Sequence, residues 1–130
     1  MMEAQPIRLG LLQYPVGRPA SLADFAARLD RWLEEGRASA DLLVLPEYAA
    51  VELGVALNGG EASEAAELSA MITAAPAILE AMRDAARRHQ VWLQPGTLPM
   101  RAADGRVVKR APWITPEGRI AFQEKRAMTR

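Results

Sequence analysis

No cysteine occurs among the 130 residues, and histidine occurs once. The first absence excludes disulfides, thiolate metal sites and a thiol nucleophile from within the chain. The second leaves zinc short of ligands. Neither sign of charge predominates: sixteen Lys and Arg balance sixteen Asp and Glu. That balance argues against nucleic acid or an anionic membrane surface as a partner. Basic residues gather near 101–110 and 125–130, but no aromatic platform is interleaved with them. The longest apolar runs fall far short of the roughly 20 residues that cross a bilayer. The chain does not open on a basic stretch followed by an apolar run of about 7–15 residues, as a secretory signal does. A soluble, cytoplasmic protein is the expectation.

What is present is ordinary for a globular domain, with half the residues apolar and a quarter charged. A chain of this length buries roughly 68% of its unfolded surface, enough for one core. No repeat, low-complexity tract or linker divides it, so residues 1–130 read as a single domain.

Ile7 to Tyr14 reads as a buried strand stopped by Pro15 and Gly17. Ser21 is a helix N-cap with Asp24 as the capping-box acid. Leu22, Phe25, Ala26, Leu29, Trp32 and Leu33 follow at helical spacing up to Gly36. Leu42–Leu45 is a second strand, apolar without alternation, as in strands covered on both faces. Residues 49–60 have no clear period, and their glycines do not form a phosphate-binding pattern. Glu61–Thr73 reads as one helix. Pro76 opens another, closed by Arg87, Arg88 and His89. Val91–Gln94, Val107–Thr115 and Arg119–Lys125 then read as strands, the last two joined by the turn Pro116-Glu117-Gly118. The order β-α-β-α-α-β-β-β predicts a layered α/β domain.

Two charged residues stand at the ends of apolar strands. Glu47 directly follows Leu42–Leu45 and Pro46, at the sheet rim where α/β proteins place their sites. Partial burial there would disfavour its charged form and suit it to general-base work. Taken alone it reads more readily as a solvated loop residue. Lys125 ends the last strand, where an ammonium can stabilise developing negative charge; taken alone it reads as part of a solvated face. His89, at a helix end without a second His or Cys, reads as structural. Trp32, Trp92 and Trp113 read as core packing.

In combination these segments resemble the nitrilase, or carbon–nitrogen hydrolase, superfamily over nearly the whole chain. Ile7-Arg8-Leu9-Gly10-Leu11-Leu12-Gln13 is similar to its first strand. Ala40-Asp41-Leu42-Leu43-Val44-Leu45-Pro46-Glu47 is similar to the motif bearing its general-base glutamate. Pro95-Gly96-Thr97-Leu98-Pro99 resembles the segment before its central hairpin. Trp113-Ile114-Thr115-Pro116-Glu117-Gly118-Arg119 resembles the strand–turn–strand leading to its lysine, here Lys125. The resemblance implies the N-terminal half of a four-layer α-β-β-α sandwich, incomplete at its C-terminal end. It implies a Glu-Lys-Cys site hydrolysing a small amide or nitrile, with Glu47 as base and acid and Lys125 holding the oxyanion. No metal or organic cofactor is implied, and relatives are usually homo-oligomers when full length.

Two departures stand out. The family's cysteine lies beyond the lysine, past Arg130; Met128-Thr129-Arg130 resembles the start of that stretch in one bacterial branch. Lys109 stands where relatives tend to show an asparagine. The chain alone is therefore expected to be inactive. Two function readings follow, a segment of a working hydrolase or a shortened, non-catalytic paralogue that acts by pairing with another chain.

Overall fold

The computed structural model describes residues 4–15, 17–59 and 63–125. In chain order the elements are β1 (Leu9–Leu11), α1 (Leu22–Gly36), β2 (Leu42–Val44), a 3-10 turn over Ala49–Leu53 running into α2 (Gly54–Leu57), α3 (Glu64–His89), β3 (Trp92–Gln94), β4 (Leu98–Arg101), β5 (Val107–Ile114) and β6 (Ile120–Glu124). They build one mixed sheet in the order β1-β2-β3-β5-β4, with β6 paired to β5. β1, β2 and β3 are parallel, in the register Leu9–Leu42–Trp92 and Leu11–Val44–Gln94. β5 is antiparallel to β3, β4 and β6.

The helices cover one sheet face. Phe25, Leu29 and Leu33 of α1 and Met71, Ile78 and Met82 of α3 are buried with Leu43, Leu93, Leu98 and Ile114 of the sheet. Strand alternation puts Gly10, Leu43 and Leu93 on this inner side. A Cβ on Gly10 would lie 2.8 Å from both Ala40 Cβ and Leu43 Cδ2, so the close approach of β1 to its neighbours needs glycine. Ser21 caps α1 as expected, its Oγ accepting from the Asp24 N–H at 3.1 Å. At the other end of the helical layer His89 is buried, its Nε2 2.6 Å from Asp30 Oδ1 of α1. Its Nδ1 lies 3.0 Å from Glu34 Oε2 but is not aligned for a hydrogen bond. Burial pushes the Asp30 carboxyl up, yet hydrogen bonds from His89 and Arg88 outweigh it and hold the group below its ordinary value.

Several sequence expectations are corrected. β1 is three residues rather than Ile7–Tyr14. The two helices expected on either side of Pro76 are one, α3, with Pro76 inside it. Pro76 removes one helical N–H, but it is exposed, where water can serve the carbonyl left without a donor. Joined in this way, α3 is long and apolar enough to cross a membrane by length and composition alone. Its buried residues, Met71, Ala75, Ile78, Met82, Ala85, Ala86 and His89, form a face against the sheet and α1. β4 had no counterpart in the sequence reading, and residues 49–57 form helical turns where none was assigned. Glu61 and Met128-Thr129-Arg130 lie outside the described residues.

The other sheet face is open. Ile7, Leu9 and Leu11 are 75%, 59% and 73% exposed. Trp92 and Trp113, expected in the core, are 40% and 41% exposed and lean on each other with ring centroids 6.1 Å apart. A row of large apolar side chains facing water on a paired sheet favours association. The chain on its own is expected to bind a hydrophobic dye or to self-associate; a dye-negative monomer at micromolar concentration in dye-fluorescence and sedimentation measurements contradicts this.

Candidate active site

Glu47 is positioned through its backbone. β2 and β3 run parallel, so their C-terminal ends emerge side by side, and the Leu45 N–H donates to the Gln94 carbonyl at 2.9 Å just before the chains leave the sheet. The Thr97 N–H and hydroxyl both donate to the Glu47 carbonyl, at 2.8 and 3.0 Å. Between these contacts lies Gly96, at φ +86°, where a Cβ would stand 2.3 Å from the Pro46 carbonyl oxygen and 2.7 Å from that of Glu47. Gln94 braces the turn from its own side chain, donating to the Gly96 carbonyl at 2.8 Å and accepting from the Gly96 N–H at 3.3 Å.

The turn after Glu47 is anchored from below. The Glu52 side chain is fully buried and accepts from the Tyr14 hydroxyl and, at 2.7 Å, from the Gly17 N–H. Arg28 of α1 is 3.9 Å away and also lies over the Tyr14 ring. These partners satisfy a charge that would be costly to bury alone. Burial, and then the bond to Glu52, push the Tyr14 phenol well above its ordinary value.

Lys125 arrives by the β5–β6 hairpin. The Thr115 N–H donates to the Arg119 carbonyl at 2.9 Å, and Gly118 takes φ +87° in the three-residue loop between them. The register runs from Ile114–Ile120 to Arg110–Glu124, and the Lys125 N–H then donates to the Lys109 carbonyl at 2.8 Å. The hairpin therefore sets Lys109 and Lys125 side by side.

The carboxylate and both ammonium groups meet. Lys125 Nζ donates to Glu47 Oε1 at 2.8 Å, and Lys109 Nζ to the same oxygen at 3.3 Å. The Lys109 ammonium also sits 3.9 Å from the centroid of the Tyr48 ring. Hydrogen bonds from Lys125 and then Lys109 hold the Glu47 carboxyl below its ordinary 4.5, and the bond to Glu47 lifts Lys125 above its ordinary 10.5. The expectation that burial would favour the protonated form is thus reversed. The side chain is 41% exposed, and the cations outweigh what desolvation there is. A depressed carboxylate stabilises the fold above its unfolded pKa and loses that contribution as pH falls. A raised lysine contributes below its unfolded pKa and loses it as pH rises. The pair is intact between those limits.

A hollow of about 440 Å³ opens beside the carboxylate on the uncovered sheet face, lined in part by Glu47, Gln94, Thr97, Trp113 and Gln123. Among the described residues, no group of three or more His, Asp or Glu side chains is placed to hold a metal. Sequence reasoning singled out Glu47 and Lys125, which the structure brings together, and noted Lys109 only as a departure; it gave no role to Gln94 or Glu52. The signal for Lys109 was in the turn, since counting six residues back from Thr115 and six forward from Arg119 pairs it with Lys125.

The sequence profile of the family described as Carbon-nitrogen hydrolase matches residues 8–129. No curated protein matches the chain. Among solved structures, the NitN amidase from Nesterenkonia sp. AN1 superimposes with a TM-score of 0.68 at 19% identity, over 95% of this chain and 46% of that one. A carbon-nitrogen hydrolase from Helicobacter pylori G27 gives 0.63 at 20% identity, over 92% and 39%. A variant of the Nesterenkonia amidase, carrying the acetamide moiety of fluoroacetamide on its active-site cysteine, gives 0.53 at 20% identity, over 92% and 42%. At these identities the likeness shows the shared α/β fold, and the chain spans less than half the length of each of these three.

Gly96→Ala is expected to destabilise the fold by about 2 kcal/mol or more, since left-handed strain alone costs on the order of 1–3 kcal/mol. Gly105 has φ +86° as well, but nothing lies within 4 Å of the place its Cβ would take, so Gly105→Ala carries the strain without the clash. Equal losses for the two variants in denaturant titrations would contradict the close approach.

Proposed function

The chain belongs to the carbon–nitrogen hydrolase family, and from that premise we propose that it supplies the glutamate and lysine of a site that hydrolyses the carbon–nitrogen bond of a small amide or nitrile. The nucleophile in this reading is a cysteine outside residues 1–130. The observation that carries the reading is the direct bond between Glu47 and Lys125, which come from the ends of different strands and lie 78 residues apart. A solvated sheet rim has no need of either charge, and their meeting beside a hollow is what a hydrolytic half-site requires.

An amide is cleaved in two displacements at its carbonyl carbon. Glu47, held as carboxylate by its lysines, accepts the thiol proton as sulfur attacks the carbonyl carbon. The oxygen takes up the electron pair of the C=O bond, and Lys125 stabilises it. The tetrahedral intermediate collapses, and the C–N bond breaks as Glu47 returns the proton to the departing nitrogen, leaving a thioester. Water then adds to the thioester with its proton passing to Glu47. The C–S bond breaks, the acid leaves, and the thiol is restored. The amidase with an acetamide group on its cysteine supports a sulfur nucleophile for this fold.

Ammonia release from small amides and nitriles by the complete polypeptide that the gene encodes tests the proposal. Glu47→Gln is expected to lower kcat/KM by about 10²–10⁴, the usual worth of a positioned acid–base group. The 130-residue chain alone is expected to release none. Turnover indifferent to Glu47→Gln overturns the reading, and a complete gene product without any cysteine turns it toward a non-catalytic paralogue.

A further inference from the structure

The hydrolase reading gives Lys125 two tasks that compete. At rest its ammonium is bonded to Glu47 Oε1 at 2.8 Å. To hold an oxyanion it must share or surrender that bond, and Glu47 then loses the nearer of its cations. A second cation removes the conflict, and the structure contains one. Lys109 reaches the same oxygen at 3.3 Å, and its side chain is only 18% exposed. It is fixed from two directions. Its backbone carbonyl accepts from the Lys125 N–H, and its ammonium rests on the Tyr48 ring.

Resting on the hydrolase reading, we infer that Lys109 is a positioning residue that keeps Glu47 ionised and in place while Lys125 turns to the reacting oxygen. An asparagine at this position carries no charge and cannot do so. The charged and titratable groups facing Glu47 among the described residues are Lys109 from β5, Lys125 from the end of β6, and Tyr48 of its own loop. Arg110 and Glu124, next along the hairpin, pair with each other at 3.4 Å. With both lysines charged the trio carries one net positive charge. That surplus favours every anion the reaction passes through, the thiolate and the oxyanion alike.

The experiment uses the complete polypeptide with carboxyl-labelled glutamate, as wild type, Lys109→Asn, Lys109→Met and Lys109→Arg. Glu47 is titrated by carbon NMR, and kcat and KM are followed against pH for one neutral amide and one amide bearing a carboxylate. The Asn and Met variants are expected to move the Glu47 titration and the acid limb of kcat/KM to higher pH. They should lower kcat at least tenfold for both amides, with KM within about twofold of wild type, as for an interaction needed during turnover. Lys109→Arg should restore the titration and most of kcat. A Glu47 titration unmoved by Asn and Met overturns the inference. So does a KM increase confined to the carboxylate-bearing amide with kcat unchanged, which would make Lys109 a binder of substrate anions. If no amide or nitrile is turned over, the hydrolase reading fails, while the titration still decides whether Lys109 governs the charge of Glu47.

Discussion

Gly96 lies against the carbonyl oxygens of Pro46 and Glu47, closer than any side chain would permit. The arrangement of the site depends on this contact. Parallel pairing of β2 with β3 delivers two loops to the same edge of the sheet, and the missing Cβ lets one lie directly on the other. Thr97 can then hold the Glu47 carbonyl with two hydrogen bonds, which fixes where the Glu47 side chain begins. From the opposite side the hairpin brings Lys109 and Lys125 to the same oxygen. The carboxylate thus owes its place to backbone contacts, and two ammonium groups hold its carboxyl below the ordinary value. Neither depends on burial.

Much of this was legible in the sequence because strand ends and turns are local signals. An apolar run broken by Pro46 marks the rim at Glu47, and Pro116-Glu117-Gly118 fixes a three-residue hairpin whose register determines what faces Lys125. The misreadings share a cause, since each depended on surroundings that a single chain does not announce. Pro76 signals a helix start, yet on the exposed side of α3 the lost hydrogen bond is tolerable. Trp92 and Trp113 read as core, but in this chain their sheet face is uncovered. The direction of the Glu47 shift was reversed because Lys125 and Lys109 reach it from 78 and 62 residues away. Glu52 gave no warning, for its partners Tyr14, Gly17 and Arg28 are scattered through the first third of the chain.

The molecule is finished on one side and open on the other. Its helical layer is closed by α1 and α3, with His89 and Arg88 bonded to Asp30 where the two meet. Across the sheet, apolar side chains and the hollow beside Glu47 share an uncovered surface. In the hydrolase reading a nucleophile or substrate approaches Glu47 through that hollow, and whatever covers the face sets the dielectric in which the three charges act. Exclusion of water there would strengthen every interaction among them.

The central claim is that Glu47 and Lys125 act as one unit on a sulfur supplied from outside these residues. It is tested most directly by the rate at which a small amide acylates the cysteine of the complete polypeptide, followed by mass spectrometry in wild type, Glu47→Gln, Lys125→Met and the double variant. If the two are one unit, each single variant slows acylation severely, and the double variant is little slower than the worse single one. Losses that simply multiply, or acylation at the wild-type rate in either single variant, would contradict the account.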